Sequence, residues 1–271
     1  MCELFAACGS RPLRISYSLH EFARLGAGER ANKSGWGIAW YRSRDAFAVK
    51  EEEPAADSAL ARFVADQPIE SSLVIAHVRR ASRGGPSYEN THPFTRVLGG
   101  RGHCFAHNGT LAGYRRAEAD TPHAAEVIGE TDSELAFCKL LARLRPLWQG
   151  REVPDIMARL AVFAETAAEL AHYGSANFLY TDGDALFVHA HRRQWEEADG
   201  RLSASRAPGL HLRRCHGDTY MAGHGCVVES REAPTALIAS VPFEGGQWEP
   251  LPEGCALALR GGMEAGRIAT L

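Results

Sequence analysis

The segment GHCFAHNG, residues 102–109, has the pattern of a short buried strand followed by a turn. A glycine opens the run at Gly102, and the Asn108-Gly109 pair after it is a strong hairpin signal. Similar runs, bounded by Gly, Pro, Ser or Arg-rich segments, occur at residues 36–41 (WGIAWY) and 73–78 (LVIAHV). The first half of the chain is therefore predicted to form short strands joined by turns.

The periodicity changes to that of a helix after Thr131. Apolar residues recur there at helical spacing, at Phe137, Leu140, Leu141 and Leu144. The TDSE sequence at 131–134 has the form of a capping box, in which Thr131 caps the helix and Glu134 reaches back, so Asp132 is expected in the first turn. A second amphipathic stretch over residues 154–173 predicts another helix.

Strand-like runs return after the two helices, at residues 176–180, 185–190, 209–212, 236–241 and 256–260. Strands, then helices, then strands indicate an α+β protein with antiparallel sheets rather than alternating βαβ units. There is no internal repeat or long low-complexity tract, so residues 1–271 are expected to form a single domain.

Composition excludes several classes of protein. The 271 residues are 45% hydrophobic, which is enough for a large core, and 30 Lys+Arg against 33 Asp+Glu give a net charge of -3. This balance predicts neither nucleic acid nor an anionic membrane surface as a partner. No uncharged stretch is long enough for a membrane span, and the N-terminal MCELF carries an acid where a signal peptide carries bases, so a cytoplasmic location is expected.

The seven cysteines are odd in number, scattered, and never in a C-x-x-C pair. They therefore predict reduced thiols rather than a disulfide framework or a zinc site. The alternation of His189 and His191 lacks a nearby acidic or cysteine ligand, and no metal site is predicted. Because Gly-x-Gly-x-x-Gly and Walker-type loops are also absent, no nucleotide or other cofactor is expected.

Six cysteines are expected to be small buried residues, but Cys2 is chemically distinct. If Met1 is removed, Cys2 carries both a thiol and an α-amine. An α-amine has a reference pKa of about 7.7 to 8, so a fraction of it is unprotonated at neutral pH and can accept the thiol proton. Cys2 would then be a nucleophile with its own base.

Together with MCEL at the N-terminus, further motifs occur in the first 135 residues: GWG at 35–37, AHVR at 76–79, ENTHPF at 89–94, AHNG at 106–109 and ETDSE at 130–134. In order and spacing this set resembles the class II glutamine amidotransferase family, and most closely its small stand-alone members of the YafJ type. The resemblance implies the N-terminal-nucleophile hydrolase fold, a four-layer αββα sandwich with two stacked antiparallel sheets.

The resemblance also implies roles for individual residues. Cys2 would attack the side-chain amide of glutamine, while the Asn108 amide and the Gly109 N–H would form the oxyanion hole. Arg79 would bind the substrate α-carboxylate and Asp132 its α-ammonium group. Each of these residues also has a structural interpretation when it is taken without the other motifs: Asn108-Gly109 as a hairpin turn, Arg79 as a surface arginine, and Asp132 as a favourable charge at a helix N-terminus.

Three further residues are assigned to the substrate pocket by the same resemblance. Ser82 is placed where the family commonly has a hydroxyl beside the substrate carboxylate. His92 would shape the pocket or order a loop beside it, although a hydrogen-bonded structural histidine fits the sequence equally well. Trp36 would form a wall of the site.

The implied activity is that of an amidohydrolase, which releases ammonia and glutamate from glutamine through a γ-glutamyl thioester on Cys2. With the chain length accounted for by this domain, a separate synthase would have to accept the ammonia, unless the enzyme simply hydrolyses an amide. The alternatives are a hydrolase of a larger γ-glutamyl amide, as in ergothioneine synthesis, and a catalytically silent glutamine-binding module. The sequence leaves homo-oligomerisation open.

Overall fold

Two antiparallel sheets form the centre of the molecule in the computed structural model, which describes residues 2–17, 34–67, 69–79, 85–150, 152–195, 197, 199, 201–217, 219–221, 226–230, 232–243 and 246–271. The strands in these ranges are β1 Glu3–Tyr17, β2 Trp36–Arg42, β3 Asp45–Glu51, β4 Ile69–Val78, β5 Phe94–Leu98, β6 Arg101–Asn108, β7 Asn177–Thr181, β8 Leu186–Ala190, β9 His211–His216, β10 Thr219–Met221, β11 Cys226–Glu229, β12 Pro234–Ala239, β13 Glu249–Pro250, β14 Cys255–Arg260 and β15 Met263–Ala269. The helices are α1 Ala59–Ala65, α2 Tyr114–Ala117, α3 Asp132–Leu144 and α4 Ile156–Ala171, with a 3-10 helix at Pro122–Glu126.

The first sheet has the strand order β13-β9-β12-β1-β4-β2-β3, and β11 adds to the far part of β1 with β10 beside it. The second sheet has the order β15-β14-β8-β7-β6-β5. Strand β1 lies inside the first sheet, where Glu3 pairs with Val78 of β4 and Phe5 pairs with Ala239 of β12. The chain therefore enters a central strand one residue after Cys2.

The molecule has four layers, and an apolar cluster lies between each layer and the next. The inner faces of the two sheets meet through residues such as Leu4, Ile75, Ala106, Leu179 and Ile238. The outer face of the second sheet packs on α3 and α4, and the outer face of the first sheet packs on α1. This helix–sheet–sheet–helix stack confirms the predicted α+β class and the four-layer αββα arrangement.

Helix α3 has the predicted Thr131 cap but lacks the reciprocal Glu134 bond of a capping box. The Thr131 hydroxyl accepts the backbone N–H of Glu134 at 3.1 Å, as a capping box requires. The Glu134 carboxylate, however, accepts the backbone N–H groups of Ile128 and Gly129 at 3.1 and 2.7 Å and pairs with Arg96. Glu134 thus holds the loop that leads into α3.

Helix α4 lies inside the predicted stretch 154–173 and is capped by Asp155, whose carboxylate accepts the N–H groups of Met157 and Ala158, each at 2.9 Å. Among the helices of the described residues, none is long and apolar enough to cross a membrane.

Candidate active site

Cys2 and Asn108 meet between the two sheets. Cys2 is half-buried and directly precedes β1, and Asn108 is the buried last residue of β6. Side chains alternate along a strand, so Cys2 faces inward like Leu4, and Asn108 faces inward like Ala106. The Asn108 Nδ2 donates a hydrogen bond to the Cys2 carbonyl oxygen at 2.6 Å. The structure thus brings the predicted nucleophile and the predicted oxyanion donor into contact.

The Asn108 amide retains donor capacity in this arrangement. A primary amide carries two N–H donors, and the bond to Cys2 uses one of them. The second N–H is the donor that the predicted oxyanion hole would use.

Gly109 lies where no side chain fits. A Cβ atom at this position would come within 1.8 Å of the Ser175 carbonyl oxygen and 2.7 Å of the His107 Nε2. The next strand after Asn108-Gly109 is β7, which begins only at Asn177. Asn108-Gly109 is therefore not the tight hairpin turn that the sequence left open, and Gly109 is required by close approach of the backbone.

Arg79 is buried rather than on the surface. It follows β4, its backbone N–H donates to the Gly35 carbonyl at 2.8 Å, and its Nη1 donates to the carbonyls of Ser34 and Gly85 at 3.3 and 3.2 Å. Burial lowers the pKa of the Arg79 guanidinium, and the negative charge of the Cys2 thiolate opposes that shift. Arg79 is thus a cation placed within electrostatic reach of Cys2.

Asp132 is both a helix N-terminal charge and part of a cavity wall. Its Oδ2 accepts the backbone N–H of Leu111 at 2.6 Å, and its Oδ1 accepts the Ser133 hydroxyl at 3.2 Å. The carboxylate lines an open cavity of about 390 Å³, together with Leu111, Gly113, Arg115, Arg116 and Glu130. Because Leu111 follows Asn108-Gly109 by two residues, this bond ties α3 to the oxyanion segment.

The remaining predicted pocket residues are distributed differently. Ser82 lies outside the described residues. His92 is buried with its ring 4.3 Å from that of His77 and 4.5 Å from that of Phe94. Neither ring nitrogen of His92 has a hydrogen-bond partner among the described residues, and burial lowers the pKa of His92 well below its usual value. His92 is therefore a neutral packed ring rather than the hydrogen-bonded histidine that the sequence suggested as an alternative.

The Trp36 side chain is not brought together with Cys2 and Asn108. It is fully buried in the outer cluster of the first sheet, beside Phe5 and Val78. Trp36 pairs with Val78 in the sheet, one position from Arg79, and side chains of adjacent positions point to opposite faces. The expectation of a tryptophan wall is thus corrected, since the strand alternation turns this side chain away from the inner face.

His107 and Ser133 support the site without having been predicted. The ring of His107 contacts the Ser133 hydroxyl through Nδ1 and the Ser175 carbonyl through Nε2, each at 2.8 Å. The position next to Asn108 on a strand places His107 on the opposite face, toward α3, so the alternation of the AHNG motif was the available signal. His107 thereby links β6 to the helix that carries Asp132.

The histidines of β8 and of the loop after it contact protein groups. The rings of His189 and His191 lie 6.2 Å apart; His189 contacts the Ala176 carbonyl and the Thr270 hydroxyl, and His191 lies 3.4 Å from Glu253. In the described ranges, no three His, Cys, Asp or Glu side chains are grouped so as to hold a metal ion.

Comparison with known proteins agrees with this geometry. The profile of class-II glutamine amidotransferases matches residues 1–270. The chain is 40% identical over 189 residues to the Escherichia coli putative glutamine amidotransferase YafJ, a match that covers 70% of this chain and 72% of that protein. An uncharacterized protein of Methanocaldococcus jannaschii is 32% identical over 262 residues, 97% of this chain and 70% of that one.

Solved structures share the same architecture. A predicted glutamine amidotransferase from Pseudomonas aeruginosa superimposes with a TM-score of 0.71 at 28% identity, covering 98% of this chain and all of that one. The glutamine PRPP amidotransferase of Bacillus subtilis, at 14% identity and a TM-score of 0.60, matches all of this chain and 49% of that protein, which shows a shared N-terminal-nucleophile hydrolase fold. By its sequence profile, its relatives and its fold, the chain belongs to the class II glutamine amidotransferase family.

Proposed function

We propose that this protein is a glutaminase-type amidohydrolase that releases ammonia and glutamate from glutamine through a γ-glutamyl thioester on Cys2. The observation that carries the proposal is the 2.6 Å hydrogen bond from Asn108 Nδ2 to the Cys2 carbonyl, which joins the candidate amide donor to the residue that carries the candidate nucleophile. After removal of Met1, the α-amine of Cys2 serves as the base, because its reference pKa of about 8 lies near neutrality.

The reaction proceeds in two stages. The Cys2 α-amine accepts the thiol proton, the sulfur attacks the amide carbon, and the amide oxygen becomes negative. The second N–H of Asn108 and the backbone N–H of Gly109 meet that charge. The tetrahedral species then breaks its C–N bond, and ammonia leaves with the proton from the α-amine. Water attacks the thioester, which gives glutamate and restores the thiol.

Glutamine binding would use two opposite charges. The Arg79 guanidinium suits an α-carboxylate, and the half-buried Asp132 carboxylate suits an α-ammonium group. Ser82 is expected to add a hydroxyl to the carboxylate. A separate ammonia-accepting synthase would be the partner if the ammonia is used, and residues 1–271 would act as one domain.

Replacement of Cys2 tests the mechanism directly. Cys2→Ala is expected to abolish release of glutamate and labelling by the glutamine analogue 6-diazo-5-oxo-norleucine, which alkylates a thiolate with loss of nitrogen gas. Cys8→Ala is the matched control, because Cys8 lies on β1, the strand that Cys2 directly precedes, faces inward, and has a thiol pKa raised by burial to about 11. Intact-protein mass spectrometry should show that the active species begins at Cys2.

A substrate panel distinguishes the alternative functions. A panel of glutamine and larger γ-glutamyl amides, with both glutamate and the released amine measured, identifies the substrate class. Turnover of the larger amides but not of glutamine would replace the glutaminase with a γ-glutamyl amide hydrolase. Binding of glutamine without turnover or labelling would support a silent binding module. Unchanged turnover in Cys2→Ala would contradict covalent catalysis at this residue.

A further inference from the structure

The residue after the nucleophile is part of a buried ion pair. Glu3 is 3% exposed and Arg193 is 4% exposed. The Arg193 Nη1 and Nη2 donate to the two carboxylate oxygens of Glu3 at 3.1 and 3.0 Å, so the pair is bidentate. A bidentate arginine–carboxylate pair away from solvent fixes orientation as well as distance. The first residue of β1 is thereby connected to a segment 190 positions later in the chain.

Ser240 completes the network. Its hydroxyl donates to the Glu3 carboxylate and accepts the backbone N–H of Leu4 at 2.9 Å. The backbone N–H of Ser240 in turn donates to the Leu4 carbonyl at 3.0 Å. Both residues that follow Cys2 are therefore held by the same buried serine.

The arginine side of the pair is itself fixed. Arg193 and Arg206 exchange backbone hydrogen bonds of 3.0 and 2.9 Å, and the Arg193 guanidinium lies 4.8 Å from the ring centroid of Trp195. Arg193 thus provides a rigid attachment point for Glu3 rather than a mobile counter-charge.

We propose that Glu3 and Arg193 are positioning residues that hold the Cys2 nucleophile in its reactive geometry. The inference deepens the proposed function and rests on it. Chain ends fray unless they are tied down, and Cys2 would carry both the nucleophile and the base at such an end. Because adjacent side chains of a strand point to opposite faces, Glu3 points away from the face of Cys2 and acts through the backbone that they share. Asn108 holds the Cys2 carbonyl, and the Glu3–Arg193 pair holds the following residue.

Substitution of the pair should slow the chemistry rather than substrate binding. In Glu3→Gln and Arg193→Met we expect kcat to fall about tenfold or more with KM changed less than about threefold, because small misplacement of a reacting group is costly. Labelling of Cys2 by 6-diazo-5-oxo-norleucine should slow in parallel. Arg193→Lys, which keeps the charge but loses the bidentate geometry, should fall between these variants and the wild type.

Arg159→Met is the matched control, because Arg159 on α4 forms a buried ion pair with Asp182 and Asp184, which lie between β7 and β8. It should lower the melting temperature while kcat per folded molecule is retained. If Glu3→Gln and Arg193→Met also lower only the melting temperature and keep the wild-type kcat, the pair is structural and the proposal is overturned.

Amide hydrogen exchange tests the inference independently of activity. Peptides covering residues 2–9 should exchange faster in Arg193→Met and Arg193→Lys than in the wild type, and should keep wild-type protection in Arg159→Met. Unchanged protection of these peptides would overturn the anchoring role. If the wild type turns over no γ-glutamyl amide, the proposed function fails, whereas the exchange experiment still decides whether Arg193 holds the N-terminal strand.

Discussion

Among single residues, Asn108 is the one at which the scaffold meets the proposed chemistry. Its Nδ2 bonds to the Cys2 carbonyl, and its own backbone carbonyl accepts the Asn177 side-chain amide at 3.0 Å. The two hydrogens of a primary amide lie in one plane, so the bond to Cys2 fixes the plane of the second N–H. Hydrogen bonds therefore fix both the side-chain amide and the backbone carbonyl of Asn108 in the absence of substrate.

Asn108→Ala is expected to lower kcat by about 10²- to 10³-fold, the usual effect of removing one oxyanion-hole donor. KM for the preferred amide should change little, because the donor meets charge that develops only in the transition state. Steady-state kinetics on purified, N-terminally processed protein provide the measurement. Asn108→Asp, which keeps the size but removes the N–H donors, should be at least as impaired. A kcat within about threefold of wild type in both variants would rule out this role.

Among the elements, α3 begins with a carboxylate directly after a stable cap. Thr131 caps the helix, and Asp132 binds the N–H of Leu111 and faces the cavity. The helix N-terminus stabilises the carboxylate, so the position serves the fold and can serve the substrate as well. The two interpretations that the sequence left open are therefore compatible.

A comparison of two helix N-termini separates these contributions. Asp132→Ala and Asp155→Ala each remove an N-terminal carboxylate, with an expected loss of about 1 kcal/mol of unfolding free energy. In Asp132→Ala alone, KM for glutamine should rise about tenfold or more, because the α-ammonium group loses its counter-charge. Urea unfolding and steady-state kinetics check the two effects. An equal KM in the two variants would rule out a role of Asp132 in substrate binding.

At the scale of the whole molecule, burial of histidine makes stability depend on pH. His77 and His189 are each fully buried, and burial lowers their pKa values to about 3 and about 4. Both are therefore neutral in the fold at neutral pH, whereas an unfolded histidine ionises near pH 6.5. Below pH 6.5 the unfolded chain binds protons that the folded chain does not, so stability falls as pH falls from about 6.5 toward about 3.

His77→Gln should remove its share of this dependence. At pH 5, protonation of His77 in the unfolded chain is expected to cost the wild type about 2 kcal/mol relative to pH 8. The difference in unfolding free energy between pH 8 and pH 5 should therefore shrink by about that amount in His77→Gln. His172→Gln, at an exposed helix end, is the control and should keep the wild-type difference. Equal pH dependence in all three proteins would contradict the burial of a neutral His77.

Part of the architecture was predictable because it rests on local patterns. Helical periodicity located α3 and α4, and short apolar runs located β2, β4, β6, β7, β8, β12 and β14. The run at 209–212 overlaps only the start of β9, and β1 was not predicted at all. Strand β1 is irregular between Cys8 and Leu13, and its pairing partners are distant in sequence. Such pairings leave no local signal.

The resemblance in motif order and spacing brought Cys2, Arg79, Asn108, Gly109 and Asp132 forward as one set. The structure joins Asn108 to Cys2, places Arg79 within electrostatic reach of Cys2, and bonds Asp132 to Leu111. The direction of Trp36 and the contacts of His107 followed instead from strand alternation, which requires the register to be known.

Three chemical features could be predicted from local sequence: a thiol next to the N-terminus, an Asn-Gly pair after a buried strand, and a capped helix with an acid in its first turn. Those features are local, since they depend on residue type and spacing along a few turns or strands. Three contacts depend instead on the tertiary fold: Asn108 contacts Cys2 across 106 positions, Arg79 is within electrostatic reach of Cys2, and Glu3 pairs with Arg193. Side chains distant in sequence meet only when two sheets stack, and that packing depends on the whole core rather than on any one motif.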